Sequence, residues 1–101
     1  MADAAVVYDF QWDPEKANTN RQKHKVTFEE AATVFLDPSA LSLYDDEHSG
    51  AEDRWITLGF SSAGRLLVVC HTFHEHDRRQ HRVRIVSSRK AAKKERQAYE
   101  R

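Results

Sequence analysis

Little in this sequence would hold a chain together from outside its own core. One cysteine in 101 residues, Cys70, excludes an internal disulfide. Its place in the apolar run Leu66-Leu67-Val68-Val69-Cys70 makes a buried, reduced thiol the expected state, which fits a reducing compartment. Long hydrophobic runs are missing too. The stretch Ala4-Ala5-Val6-Val7 lies between Asp3 and Asp9 and is too short for a secretory signal, and nothing approaches membrane-spanning length. A cytoplasmic protein with no membrane partner is expected. With no repeat, linker or low-complexity tract, residues 1–101 read as a single domain.

Net charge is absent as well, 16 basic residues against 16 acidic, but the balance hides a segregation. Eight acids (Glu29, Glu30, Asp37, Asp45, Asp46, Glu47, Glu52, Asp53) occupy 29–53 without one Lys or Arg. From Arg78 to Arg101 ten basic residues face two acids. A nucleic-acid binder needs its cations where phosphates will lie, and a basic C-terminal region on a neutral chain meets that need. The acidic block suits a basic partner or a solvated loop.

Local signals give an element order. Tyr8, Phe10 and Trp12 alternate in a first strand over 6–12, which stops at Asp13-Pro14. Asp13 can cap a helix and Pro14 fits its first position, so a helix is predicted over 14–24. Its face Ala17, Asn20, Arg21 and His24 is nearly all polar. Thr27-Phe28-Glu29-Glu30 has the form of a capping box for a second helix, with Phe28, Ala31, Ala32 and Phe35 on one face and an end at Asp37-Pro38. Strands are predicted over 40–44, 54–60, 66–73 and 82–87, with a hairpin turn at Ser61-Ser62-Ala63-Gly64. Ser88 is the expected cap of a last helix over 89–100, whose apolar stripe is only Ala91, Ala92, Ala98 and Tyr99. The result is an α+β fold of order β-α-α-β-β-β-β-α, a mostly antiparallel twisted sheet with helices packed on one face.

Phe10-Gln11-Trp12-Asp13-Pro14-Glu15-Lys16-Ala17, then Asn20, then Lys23-His24-Lys25-Val26-Thr27-Phe28-Glu29-Glu30-Ala31 stand in an order and spacing that resemble the BrnT toxins, a branch of the RelE-like ribonucleases. The likeness continues through Asp37, Arg54-Trp55-Ile56-Thr57-Leu58-Gly59, Gly64-Arg65-Leu66-Leu67-Val68-Val69 and Arg84-Ile85-Val86-Ser87-Ser88-Arg89-Lys90-Ala91, then Glu95-Arg96 and Tyr99. Lys25 departs from the pattern, which usually has Gly there. The resemblance implies a RelE-like fold, RNA cleavage, and a BrnA-like antitoxin that neutralises the toxin and represses their shared promoter. Operator DNA would be met only through the antitoxin.

Cleavage of RNA without metal or cofactor requires attack by the 2′-hydroxyl, proton transfer at both oxygens, and cations for the charge that develops on phosphorus. Arg84 should project from the sheet face opposite the helices, since Val83 and Ile85 alternate with it. Arg65 and Arg54, at the starts of two strands, can border the same surface, and each has an equal reading as a plain turn cation. His24 is the family-matching imidazole, a candidate acid or base or else a structural residue at a helix end. Lys16, Asn20 and Lys23 share a helix face expected to meet RNA. Arg89, Lys90, Lys93 and Lys94 are expected to do so from the last helix. His71, His74, His76 and His81 do not form a metal pattern, because His71 and His74 should point to opposite sides of a strand. A second functional reading is a non-catalytic nucleic-acid- or antitoxin-binding module of the same fold.

Overall fold

The computed structural model describes residues 6–101, so Asp3, Ala4 and Ala5 of the N-terminal stretch lie outside the described residues. Strand β1 (Val7–Gln11) leads to α1 (Pro14–His24) and α2 (Phe28–Thr33), which tightens into one 3-10 turn at Val34–Leu36. Strands β2 (Leu41–Tyr44), β3 (Arg54–Phe60), β4 (Leu66–Glu75) and β5 (Gln80–Lys90) follow, then α3 (Lys93–Tyr99). The sheet order is β1-β5-β4-β3-β2, antiparallel except for the parallel pair of β1 and β5.

Both early helices start as their sequence dictates. Asp13 Oδ1 accepts from the Glu15 amide at 2.9 Å with Pro14 in the first turn. Thr27 Oγ1 accepts from the Glu30 amide at 3.0 Å. The reciprocal half of that capping box is replaced, because the Glu30 carboxylate turns to Arg65 and Ser61 instead. Lys25 ends α1 in the left-handed region at φ 58°, where glycine would sit without a Cβ clash.

The sheet buries its two faces unequally. On one, Val26, Phe28, Ala31 and Val34 close over Leu67, Val69, Val83 and Ile85, each side chain stabilising the fold by roughly 1.5–3 kcal/mol where it is a fully buried Val, Leu, Ile or Phe. On the other, Leu58, Leu66 and Val68 form a smaller cluster with Ile56, Phe60, Ala91 and Tyr99. Thus α1 and α2 share a face, but the expectation of all helices on one face is corrected for α3, which packs on the opposite one because Leu66 and Val68 alternate with Leu67 and Val69 and leave apolar surface on both sides.

The C-terminal expectation is corrected in a second respect. Ser88 caps no helix; it is buried within β5, which runs on to Lys90 opposite Leu67. Arg89 and Lys90 are therefore strand residues, and α3 begins only at Lys93, with Glu95 accepting from the Ala92 amide at 2.7 Å. Ladder pairing with β4 outweighed the helical pattern of the alanines.

Candidate nucleic-acid interface

Strand register assembles the open face. Arg54 pairs with Thr72, Thr72 with Arg84, and Arg84 with Gln11, so four side chains stand in one row across β3, β4, β5 and β1. Partners in register project to the same side, and Arg84 alternates with the buried Val83 and Ile85, so the row faces away from α1 and α2. The next row toward the sheet end is His74, Arg82 and Asp9. At about 4.8 Å per strand, the backbones of Arg54 and Arg84 are about 10 Å apart.

These rows border a surface cavity of about 520 Å³, lined by Gln11, Thr72, His74, Arg82 and Arg84 from the sheet and by Glu52 and Asp53 from the β2–β3 loop. Arg82 Nε donates to Asp9 Oδ2 at 3.3 Å. Among the described residues, the guanidinium groups of Arg54 and Arg84 enter no ion pair.

The other two sequence-predicted arginines are fastened. Arg65 grips both oxygens of Glu30 and donates to the Lys25 carbonyl at 3.0 Å. This pairing holds the Glu30 carboxyl below its ordinary range and raises Arg65. Arg89 makes two bonds to Glu95, at 2.8 and 2.7 Å, which lower Glu95 and raise Arg89. Each clamps one element to another, Arg65 the strand turn to α2 and Arg89 the end of β5 to α3.

A second groove, of about 390 Å³, lies between α1 and β5 beyond the end of β1. Lys16, Lys23 and His24 line it with Asp13, Glu15, Val86 and Ser87. The shared helix face read from the sequence thus reaches one groove, which Asn20 also lines, but the carboxamide of Asn20 is committed to the backbone. It is buried, with Nδ2 donating to the carbonyls of Ser88 at 2.8 Å and Val26 at 3.0 Å, and Oδ1 accepting from the Ser88 amide at 3.0 Å. Lys93 and Lys94 are exposed on α3, on the open-face side, whereas Lys90 pairs across from Leu67 and belongs to the helical face.

The alternation along 82–86 already sets Arg82 on the face of Arg84, but sequence reading missed Thr72 and Gln11 as companions of Arg84. The signal was the period of two along β4, visible once β4 and β5 are set in register. His71 and His74 do lie on opposite faces, and among the described residues no three His, Cys, Asp or Glu side chains converge as a metal site requires.

The family model for the ribonuclease toxin BrnT of type II toxin–antitoxin systems matches residues 12–95. The chain belongs to the BrnT family. It is accordingly a ribonuclease toxin of a type II system, a class defined by a cognate antitoxin. No curated protein sequence matches it. Among solved structures, the crystal structure of the Brucella abortus ribonuclease toxin BrnT aligns with a TM-score of 0.61 at 19% identity, over 86% of this chain and all of that one. At that identity the likeness speaks for the fold, and the five-stranded α+β architecture is that of a BrnT toxin. No helix of the described residues is long and apolar enough to cross a membrane.

Proposed function

We propose that this BrnT-family chain cleaves RNA on the open sheet face, in the cytoplasm and without a metal, and that a BrnA-like antitoxin neutralises it. The row Arg54–Thr72–Arg84 carries this reading, because it sets two guanidinium groups that enter no ion pair on one face of the sheet, with Thr72 and Arg84 lining a surface cavity. Arg84 would take the phosphate bearing the developing charge, its planar fork matching two phosphate oxygens. Arg54 would hold a neighbouring phosphate. His74 lines the same cavity and offers a ring nitrogen for proton transfer.

In the reaction, the 2′-oxygen forms a bond to phosphorus while its proton goes to a base, and the bond from phosphorus to the 5′-oxygen breaks as that oxygen gains a proton. The products are a 2′,3′-cyclic phosphate and a 5′-hydroxyl. His24, with Lys16 and Lys23, borders the α1–β5 groove, whose wall includes Ser87, three residues along β5 from Arg84. A strand of RNA held in that groove would therefore be led over the edge of β5 toward Arg84.

The test is cleavage of a defined RNA by the purified chain in the presence of EDTA. Cyclic-phosphate products, lost when the cleaved linkage carries a 2′-deoxyribose, are expected. Activity that requires a divalent ion would overturn the metal-free mechanism. Tight RNA binding without any cleavage would favour the non-catalytic module.

A further inference from the structure

The helical face holds a cavity that the cleavage chemistry does not use. Beyond the turn at Val34–Leu36 the helices no longer cover the sheet, and Tyr8, Phe35, Trp55 and Phe73 wall a pocket of about 260 Å³ floored by His71, with Ser42 at its rim. The walls come from β1, the 3-10 turn, β3 and β4, and they support each other. Tyr8 and Phe35 have ring centres 5.7 Å apart, and Phe35 meets His71 edge-on at 4.9 Å.

We infer that this pocket receives a cationic side chain, Arg or Lys, presented by a protein partner, which on the functional reading above is the antitoxin. Aromatic faces attract a desolvated cation through their quadrupoles, most strongly at Trp. No Lys or Arg lines the pocket. Its floor favours the uncharged ring: His71 is buried, its Nδ1 donates to the Thr72 carbonyl at 2.9 Å, and in the neutral imidazole Nε2 accepts from Thr57 Oγ1 at 2.7 Å. Burial also pushes the His71 pKa down.

The surroundings add the complementary sign. Tyr44 packs edge-on against Trp55 at 5.3 Å and donates to Asp53 Oδ1 at 2.9 Å, which places a carboxylate beside the pocket wall. Asp53 belongs to the acidic block that has no Lys or Arg between Glu29 and Asp53. A nucleobase would stack on the same walls, but it would bring its phosphate toward Asp53. The paired strand positions put the cation row of Arg54 and Arg84 on the other side of the sheet. Asp53 also reaches the open-face cavity, but Arg82 and Arg84 stand there with it, whereas no Lys or Arg offsets it at this pocket, so a basic protein segment fits here better than RNA.

The experiment is an NMR titration of the full chain with N-acetyl-arginine amide, N-acetyl-lysine amide, N-acetyl-norleucine amide and uridine monophosphate as probes. Saturable shifts at the Trp55 indole and the Tyr8 and Phe73 rings are expected with the two cationic amides, weaker by fivefold or more, roughly, with norleucine. Trp55→Leu should weaken the cationic probes by about the same factor. Asp53→Asn, an exposed change that leaves the fold intact, should weaken them and flatten their salt dependence. Equal binding of norleucine, preference for the nucleotide, or no shift with any probe would each overturn the inference. RNA cleavage by Trp55→Leu, which lies outside the cleavage cavity, and by the parent is measured in parallel. Pocket shifts in a chain that fails to cleave would sink the nuclease mechanism and leave the pocket standing.

Discussion

Asn20 completes the edge of β5 as if it were a piece of strand. Its carboxamide donates to the Ser88 carbonyl at 2.8 Å and accepts from the Ser88 amide at 3.0 Å, four residues beyond Arg84, where β1 gives out. The second amide proton closes the α1–α2 corner on the Val26 carbonyl. A polar residue on a helix with almost no apolar stripe is thus what fastens that helix to the sheet.

Asn20→Ala should therefore destabilise the fold by about 2–4 kcal/mol, since it strands buried backbone groups at Ser88 and Val26. Ser88→Ala should be neutral or mildly stabilising. The Ser88 hydroxyl is buried without a partner among the described residues, and only its backbone makes the bonds. Urea unfolding of both variants separates the two. Equal losses would show that the side chain of Ser88, not the carboxamide bridge, sets the stability.

Lys25→Gly should raise stability by about 1 kcal/mol, because φ 58° costs a residue with a Cβ more than it costs glycine. The Lys25 carbonyl that accepts from Arg65 is kept in the variant. A lower unfolding midpoint would mean that the lysine side chain offsets its own backbone strain.

The starts of α1 and α2 and most strands were legible in the sequence because short-range chemistry fixes them. Asp13-Pro14 and Thr27 cap through neighbours two or three residues away, and the bounds of α1 and β3 coincide with the pattern read from the chain. What escaped was set by partners far along the chain. Ser88 looks like a cap until Asn20, 68 residues earlier, and Val69 claim its backbone for a strand. Arg65 and Arg84 look alike as strand arginines until Glu30, 35 residues away from Arg65, takes one of them out of play. Register likewise decides that Arg54 and Arg84 share a row, and no local pattern carries that.

Arg84→Ala and Arg65→Ala should accordingly fail in different ways. Arg84→Ala removes an exposed, unpaired cation and should cut RNA cleavage by about 100-fold or more with an unfolding midpoint near the parent's. Arg65→Ala leaves a half-buried Glu30 carboxylate without its partner and should lower stability measurably. An Arg84→Ala variant that cleaves like the parent would remove Arg84 from the mechanism.

Acid should loosen the same corner. The carboxyl of Glu30 is lowered from 4.5 chiefly by Arg65, and that of Asp37 from 3.8 chiefly by the Tyr99 hydroxyl, 2.6 Å away. A depressed folded-state pKa means that each contribution is complete above the ordinary value and drains away as pH falls through the folded one. Stability should hold from neutrality down to about the ordinary Glu range and fall below it. In Glu30→Gln that acid-side fall should be shallower. An unchanged slope below pH 4.5 would show that Glu30 is not the group being titrated.

Salt dependence can tell which C-terminal cations meet RNA. The sequence alone groups Lys90 with Lys93 and Lys94, but the fold separates them: Lys90 stands across from Leu67 on the helical face, whereas α3 packs on the side of Arg84. Each cation that neutralises a phosphate on single-stranded RNA releases counterions and steepens the fall of log affinity with log salt by about 0.7. Lys93→Gln with Lys94→Gln should therefore flatten the slope by about 1.4, and Lys90→Gln should leave it unchanged. Binding is best measured in the Arg84→Ala background, where the RNA stays whole. If Lys90→Gln flattens the slope as much as the α3 pair does, RNA wraps the end of β5 onto both faces, and the open face is only part of its path.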